Sequence, residues 1–414
     1  MTRRIALLLG STFLASTAAL AGVTALGKLV YDLTDSELAL GFLGLAEFLP
    51  ALLLMLVVGA VADRFDRRRV TAGAAGAEAC IALGLAAYVA TEPTSATPIF
   101  ALVLGFGVTR AFLAPASRSL PADIVPPSRL PWLVARHSIT WQASIIVGPV
   151  LGGIAYSVDP ALPFVFMAVL LALSSLAVIA IRIDEVVLID EPLVEAAVEP
   201  VVGHVTAEEG TSLREALLGF RFIRRQPILL GAISLDLFAV LFGGAVALLP
   251  AIADDRLHVG AVGLGWLRAA GGIGAALVTI VLAIRPVQRH VGRVLLLAVA
   301  VFGAVTVLLG TTRSFVVAFV ALAVLAGADS VSVFIRATLV PLSTPPELRG
   351  RVLAVENVFI GGSNELGAFE SGVAGQLLGA PTAIVLGGVA TVAIAGAWWF
   401  AFPDLKEVDR FPES

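Results

Sequence analysis

The sequence predicts an all-α integral membrane protein of twelve transmembrane helices, built as two pseudo-symmetric six-helix bundles. Three observations carry that expectation. Only 14% of residues are charged and 58% are hydrophobic, with a mean hydropathy of +0.98. Soluble domains carry about 25% charged residues, so this chain lacks the polar surface to coat a water-soluble globule. Twelve apolar runs also approach the roughly 20 residues that a helix needs to cross a bilayer core. Finally, the chain echoes itself 219 residues apart: Pro126-Pro127-Ser128-Arg129 through Ala135 returns as Pro345-Pro346-Glu347-Leu348 through Ala354. At that offset Gly148 falls on Gly367, Gly153 on Gly372 and Arg110 on Asp329, and the basic turn Arg67, Arg68, Arg69 lies beside Arg285, Arg289 and Arg293. Two related halves are the usual plan of an alternating-access transporter, with its substrate site between them.

The spans are expected at about 5–27, 38–62, 70–91, 98–116, 137–157, 161–181, 227–252, 261–284, 292–311, 314–335, 352–378 and 381–402. The first imitates a signal peptide, with Arg3, Arg4 and Ala19-Leu20-Ala21, but its length and the eleven spans that follow favour retention. Basic residues gather after spans 2, 4, 6, 8 and 10, from Arg64–Arg69 to Arg349 and Arg351, while the opposite turns hold chiefly Lys28, Arg256 and Arg313. The positive-inside rule then puts both termini in the cytoplasm. The expected organisation is an N-terminal bundle over 1–182, a cytoplasmic linker over 183–226, and a C-terminal bundle with a short cytoplasmic tail over 227–414.

The linker reads in two parts. Asp184, Glu185, Asp190, Glu191, Glu195 and Glu199 among valines and prolines suggest a flexible acidic stretch. Beyond it, Leu213, Leu217, Phe220 and Phe222 or Ile223 recur at helical spacing against Arg214, Arg221, Arg224 and Arg225, which predicts a basic amphipathic helix at the headgroups. The single cysteine, Cys80, excludes an internal disulfide and is expected as a buried, inert thiol.

Charges at membrane depth cost roughly 2.5–3.5 kcal/mol each on insertion scales, so each calls for a reason. Glu47, Glu78, Arg110, Asp236, Asp329, Glu365 and Glu370 are such residues. They line a wet cavity or lock helices together as ion pairs; Glu78, only two turns into its helix, favours the structural role and reaches toward the cytoplasm. Span 11 is the most polar: Asn357, Asn364 and Ser371 repeat every seven residues and share a face, with Glu356, Ser363 and Glu370 beside it and Glu365 at the edge. That face suits an aqueous path, with Asn357, Ser363, Asn364, Glu365 and Ser371 as lining; polar packing between helices is the alternative. Trp141, Phe238 and Phe242 add aromatic surface to such a cavity, or simply pack helices.

Several functions are disfavoured. Gly271-Gly272 with Gly274 follows no strand and no Walker-type loop occurs, so nucleotide chemistry is not expected. His137, His204, His258 and His290 fall in or near loops without clustering, which leaves no expected metal, cofactor or intramembrane enzyme centre. No nucleic-acid partner is expected either. Gly148-Pro149 followed by Gly152-Gly153 reads as a bend and a close-packing surface in span 5.

Gly59-Ala-Val-Ala-Asp63-Arg64-Phe-Asp66-Arg67-Arg68 resembles the loop 2–3 signature of the major facilitator superfamily, G-x-x-x-D-R-x-G-R-R. The departure is Asp66 in place of glycine, and aspartate also tolerates a left-handed turn. The resemblance implies the superfamily's fold and gives Asp63 and Arg67 roles in holding an inward gate shut. Gly148-Pro149-Val-Leu-Gly152-Gly153 is similar to the span-5 signature of its drug/proton antiporters, and Arg110 lies where the family often places a proton-coupling arginine. Gly219-Phe-Arg-Phe222, Leu249-Pro-Ala-Ile-Ala-Asp254, Thr344-Pro-Pro-Glu347 with Gly350-Arg351, and Ser363-Asn-Glu-Leu-Gly367 resemble the bacterial subgroup that contains the enterobactin exporter.

The function expected from these readings is secondary transport across a bacterial inner membrane. A proton-coupled exporter of a small amphiphilic molecule, drug-like or siderophore-like, is the first reading; an importer or a lysophospholipid permease on the same fold is the alternative. The expected partners are the lipid bilayer, the small-molecule substrate and protons, with the chain acting as a monomer. Proton uptake is assigned to one or more of Glu47, Asp236, Asp329 and Glu370, with Arg110 as counter-charge.

Overall fold

The computed structural model describes residues 3–181 and 213–412. The acidic part of the linker and His204 lie outside the described residues. The described chain is helical throughout: α1 (Arg3–Thr34), α2 (Glu37–Arg64), α3 (Arg67–Val89), α4 (Thr97–Ile124), α5 (Leu130–Val158), α6 (Leu162–Ile179), α7 (Leu213–Arg225), α8 (Pro227–Phe242), the short α9 (Leu249–Ala251), α10 (Gly260–Ile284), α11 (Val291–Thr311), α12 (Phe315–Leu342), α13 (Pro346–Leu378), α14 (Ala380–Ala401) and α15 (Pro403–Glu407).

Among the described residues, ten helical stretches are long and apolar enough to cross a membrane, with α8, α9 and their flanking turns acting as one over Pro227–Arg256. Two further helices complete the twelve expected spans. Helix α4 carries a shorter apolar stretch, Thr97–Leu113. Helix α13 has 33 residues, but Glu347, Arg349, Arg351, Glu356, Glu365 and Glu370 interrupt its apolar character.

Helices outrun the hydrophobic runs at several ends. Helix α5 begins at Leu130 rather than near 137, and α12 continues to Leu342 rather than stopping near 335. Backbone hydrogen bonds within a helix need no apolar surroundings, so a helix continues past the hydrocarbon until a breaker or turn ends it. The extensions place His137 inside α5, not in a loop, and Arg336 inside α12.

The chain forms two compact units. The first contains Met1–Asp35, Ala46–Pro200 and Val259–Ala269; the second contains Ser36–Leu45, Val201–His258 and Ala270–Ser414. The first unit's core includes Ile5, Leu8, Leu120, Leu133 and Ile181. The second holds one cluster around Leu235, Leu295, Leu339 and Leu405 and another around Ile223, Leu229, Val340 and Val352. Lipid tails are as apolar as leucine, so shape fit and polar contacts hold such helices together more than water exclusion does.

Glycine supplies that fit at matching places. A methyl group on Gly148 would stand 2.8 Å from Leu20 Cβ, and one on Gly152 would stand 2.6 Å from the Ala21 carbonyl, so α5 lies directly against α1. In the second unit, a methyl on Gly367 would stand 2.7 Å from the Val240 carbonyl of α8. The 219-residue echo is therefore, at this pair, a repeated close approach of helix backbones.

Helix α7 forms over Leu213–Arg225, where the spacing predicted an amphipathic helix, and part of its apolar face is covered by protein. Ile223 is buried with Val352 and Val355 of α13, and Gly219 lies against the Arg351 backbone, so one edge of α7 packs on α13 within the second unit. Leu217 and Leu218 stay exposed on the other edge. Cys80 is exposed on α3 rather than buried. At the other end of the chain, α15 folds back so that the Val408 and Asp409 carbonyls accept the Gly292 and Val291 N–H groups at 3.0 and 3.3 Å. These are two of the donors that open α11 and that the helix itself cannot satisfy.

Candidate functional site

Two charged clusters form, one in each unit. In the first, α2, α3 and α4 bring together Glu47, Glu78 and Arg110. Arg110 pairs with Glu47 through Nη1, and its Nε lies 3.7 Å from Glu78 Oε1. Thr109 Oγ1 donates to the same Glu78 oxygen at 3.3 Å. The Glu78 side chain is 1% exposed, while Arg110 and Glu47 are 24% and 28% exposed, so the cluster runs from a sealed end to a partly open one. Glu78 therefore points into the bundle, not toward the helix end, and its partner explains how a buried carboxylate is tolerated.

The second cluster is more deeply enclosed. Arg336 of α12 reaches Asp236 Oδ1 of α8 through Nη2 at 2.8 Å and Glu356 Oε1 of α13 through Nη1 at 3.3 Å. All three side chains are 5–7% exposed. Asp329, two turns before Arg336 on α12, shares a small cavity with Asp236, Ser332, Val299 and Phe302. The cavity has room of about 10 Å³, on the order of one water molecule. Ser332 Oγ, on its wall, and Arg336 Nε are buried without a partner among the described residues. An unpaired hydroxyl beside two carboxylates is a site that a water molecule or proton carrier can use.

The structure thus unites Glu47 with Arg110, and Asp236 with Asp329, but each pair stays in its own unit. Arg336 was not singled out in the sequence, because the apolar run of span 10 ends one residue before it. Glu370 is half-buried elsewhere on α13.

The α13 stripe divides. Asn364 is exposed and Asn357 and Glu365 are half-buried, whereas Ser363 and Ser371 are buried. Ser363 Oγ donates to the Ile360 carbonyl at 3.0 Å, and Ser371 Oγ lies beside Gly244. Ser363 is thus satisfied within α13 itself: a serine hydroxyl bonded to its own helix backbone can face a neighbouring helix without cost. Phe238 likewise packs, edge-on to Trp398 with ring centroids 5.6 Å apart.

At the basic turn, Asp66 does not take the left-handed conformation that its glycine-like position suggested; its φ is −54°. It caps α3 instead, accepting from the Arg68 and Arg69 N–H groups at 2.8 and 3.4 Å. Aspartate at an N-cap satisfies donors that a glycine would leave to water. Arg68 also donates to the Ile181 carbonyl at 2.5 Å, and Arg67 Nη1 stands 3.4 Å from Asp123 Oδ1. Burial raises the Asp123 carboxyl above its ordinary value, opposed by Arg67. The side chains of Asp63 and Arg64, and the surroundings of Gly59, lie outside what the structure describes. Gly148, Pro149, Gly152 and Gly153 of the antiporter-like motif all sit within α5, with Gly148, Pro149, Gly152 and Gly153 buried.

Comparison with known proteins bears on the whole assembly. Over 97% of this chain, the structure is similar to a nucleoside transporter, NupG (TM-score 0.68, 15% identity, 99% of that chain covered). It is also similar over 98% of its length to a bacterial homolog of the human lysosomal transporter Spinster in an inward-facing, unoccupied conformation (TM-score 0.67, 16% identity, 97% of that chain). A POT family transporter in complex with a thioalcohol-conjugated peptide gives a TM-score of 0.72 at 11% identity, covering 97% of this chain and 96% of that one. At such identities the likeness shows the fold alone. No curated protein sequence matches significantly. The transmembrane secretion effector family, however, matches residues 4–414. With that match across nearly the full length, on a helical fold shared with major facilitator superfamily transporters, the chain belongs to the transmembrane secretion effector family of that superfamily and is a transporter, not an enzyme.

Proposed function

We propose that this secondary transporter is a proton-coupled exporter of a small amphiphilic molecule, siderophore-like or drug-like in character, working by alternating access in a bacterial inner membrane. In this reading residues 1–182 and 227–414 are the two six-helix halves, joined by 183–226, with both termini cytoplasmic and the monomer as the working unit. The observation that carries the coupling assignment is the second unit's cluster. Three carboxyls, Asp236, Asp329 and Glu356, surround one guanidinium, Arg336. If all ionise, two negative charges stay unbalanced among apolar helices, and a proton is the smallest species that can neutralise one of them. Protonation of Asp236 would release Arg336 toward its other acidic neighbours, giving the cluster two discrete arrangements of the kind a transport cycle needs.

The family resemblance to the enterobactin-exporter subgroup supports outward transport of an amphiphile. The test begins by comparing metabolites in culture medium from deletion and wild-type strains, which identifies the exported compound. Its flux is then followed in proteoliposomes under an imposed pH gradient, with everted and right-side-out vesicles separating export from import. Gradient-driven flux should fall at least about tenfold in Asp236→Asn and Asp329→Asn. Full flux in both variants would remove this cluster from the coupling path.

A further inference from the structure

Arg268 lies within α10 at membrane depth, yet among the described residues it has no ion-pair or hydrogen-bond partner, and its Nε is buried and unsatisfied. A second buried donor in the same unit is in the same condition: Trp141 Nε1 on α5. Hydrocarbon offers neither group an acceptor, and a cation there needs an anion nearby.

Both residues fall in the first unit, Trp141 on α5 and Arg268 on the part of α10 that ends at Ala269. A methyl on Gly153 of α5 would strike the Ala261 carbonyl of α10, and one on Gly265 would stand 3.2 Å from Val150 Cα. The paired positions thus run in opposite directions along the two helices, four residues per step. Continued one more step, this register reaches the turn of Arg268 on α10 and the turn preceding Gly148 on α5; Trp141 is one further turn along α5. Two pure donors, one cationic and one aromatic, are therefore carried on adjoining helices with no acceptor among the described residues.

We infer that Arg268 and Trp141 hold the anionic end of the transported molecule, which is a monoanionic amphiphile bearing a carboxylate. The planar guanidinium matches a carboxylate in a two-bond fork. One arginine balances one negative charge, so a singly charged group fits better than a dianion. Trp141 offers an indole N–H beside an apolar ring, which suits the junction between the charged end and an apolar body. The inference rests on the transport reading but not on proton coupling.

The test uses the full chain in lipid nanodiscs at fixed pH with no gradient, probed with benzoate and with benzamide, its neutral counterpart of the same shape. Thermal unfolding and tryptophan fluorescence report binding. Benzoate should stabilise the wild type and benzamide should not. Arg268→Gln should weaken the benzoate response by about tenfold or more, as loss of a charge-assisted pair implies. Arg268→Lys should keep part of it, and Trp141→Phe, which preserves the ring, should weaken it less than Arg268→Gln. Equal responses to both probes, no wild-type response to benzoate, or an undiminished response in a folded Arg268→Gln would overturn the assignment. Because no gradient is applied, failure of proton coupling would leave this binding intact, so the two readings fail separately.

Discussion

Arg336 Nη2 stands 2.8 Å from Asp236 Oδ1, and through the other arm of the same guanidinium α13 joins α8 and α12. One side chain thus ties three helices together by charge. Removing it leaves buried carboxylates without a counter-ion, which costs about 3–5 kcal/mol when a buried pair is broken from one side. Arg336→Met should therefore unfold at markedly lower temperature than wild type in detergent. Asp236→Asn should cost less, since Glu356 still holds the arginine. Equal melting temperatures for wild type and Arg336→Met would contradict this.

The first unit's cluster gives a coupled prediction. Arg110→Leu strands Glu78, the most buried acid of the set, while Glu47→Gln removes only a half-exposed partner. Arg110→Leu should be the more destabilising. Adding Glu78→Gln to it should recover stability, with a coupling of about 0.5–3 kcal/mol in a double-mutant cycle. Strict additivity of the two changes would show that the groups do not interact.

Gly152 tests the packing of α5 on α1. A leucine there has no room, because even a methyl would stand 2.6 Å from the Ala21 carbonyl. Overpacking costs typically about 1–3 kcal/mol, and more when the obstacle is backbone. Gly152→Leu should lose folded, monodisperse protein in size-exclusion chromatography, whereas Gly10→Ala, with open space around it, should not.

These cases show what the sequence could disclose. The helical class, the spans and the echoed glycines were legible, since composition, run length and spacing are local or periodic signals. Glu47 and Arg110 stood out as charges inside apolar runs, but their pairing across 63 positions leaves no periodic trace. Arg336 was invisible for a different reason: it follows the last apolar residue of span 10, where an arginine normally marks a helix end. Only the helix's continuation through Leu342 places it inside the bundle. Ser363 shows a further limit, since a polar stripe on a helix does not reveal which of its members are already satisfied by their own backbone.

The docked tail supplies a pH-dependent prediction. The Asp409 carboxyl is held below its ordinary value, chiefly by the His290 N–H at 3.1 Å and then by the positive charges of His290, Arg289 and Arg410. A carboxyl lowered in the folded state contributes stability above its ordinary pKa, and the contribution is lost as pH falls through the lowered value. Hydrogen exchange at Val291 and Gly292, taken relative to the intrinsic amide rate at each pH, should therefore stay slow near neutrality and quicken only in acid, below the usual carboxylate range. Asp409→Asn should quicken it at neutral pH and flatten the acid response. An unchanged profile would detach Asp409 from tail docking.

That clip has a practical meaning for anyone following this transporter at work. With the carbonyls of residues 408 and 409 plugged into the opening turn of α11, deletions reaching upstream of Val408 strip a helix start bare, while a fluorophore or affinity handle fused beyond it hangs from a moored strand. Signals from such a reporter would track the second unit itself instead of a wagging tether.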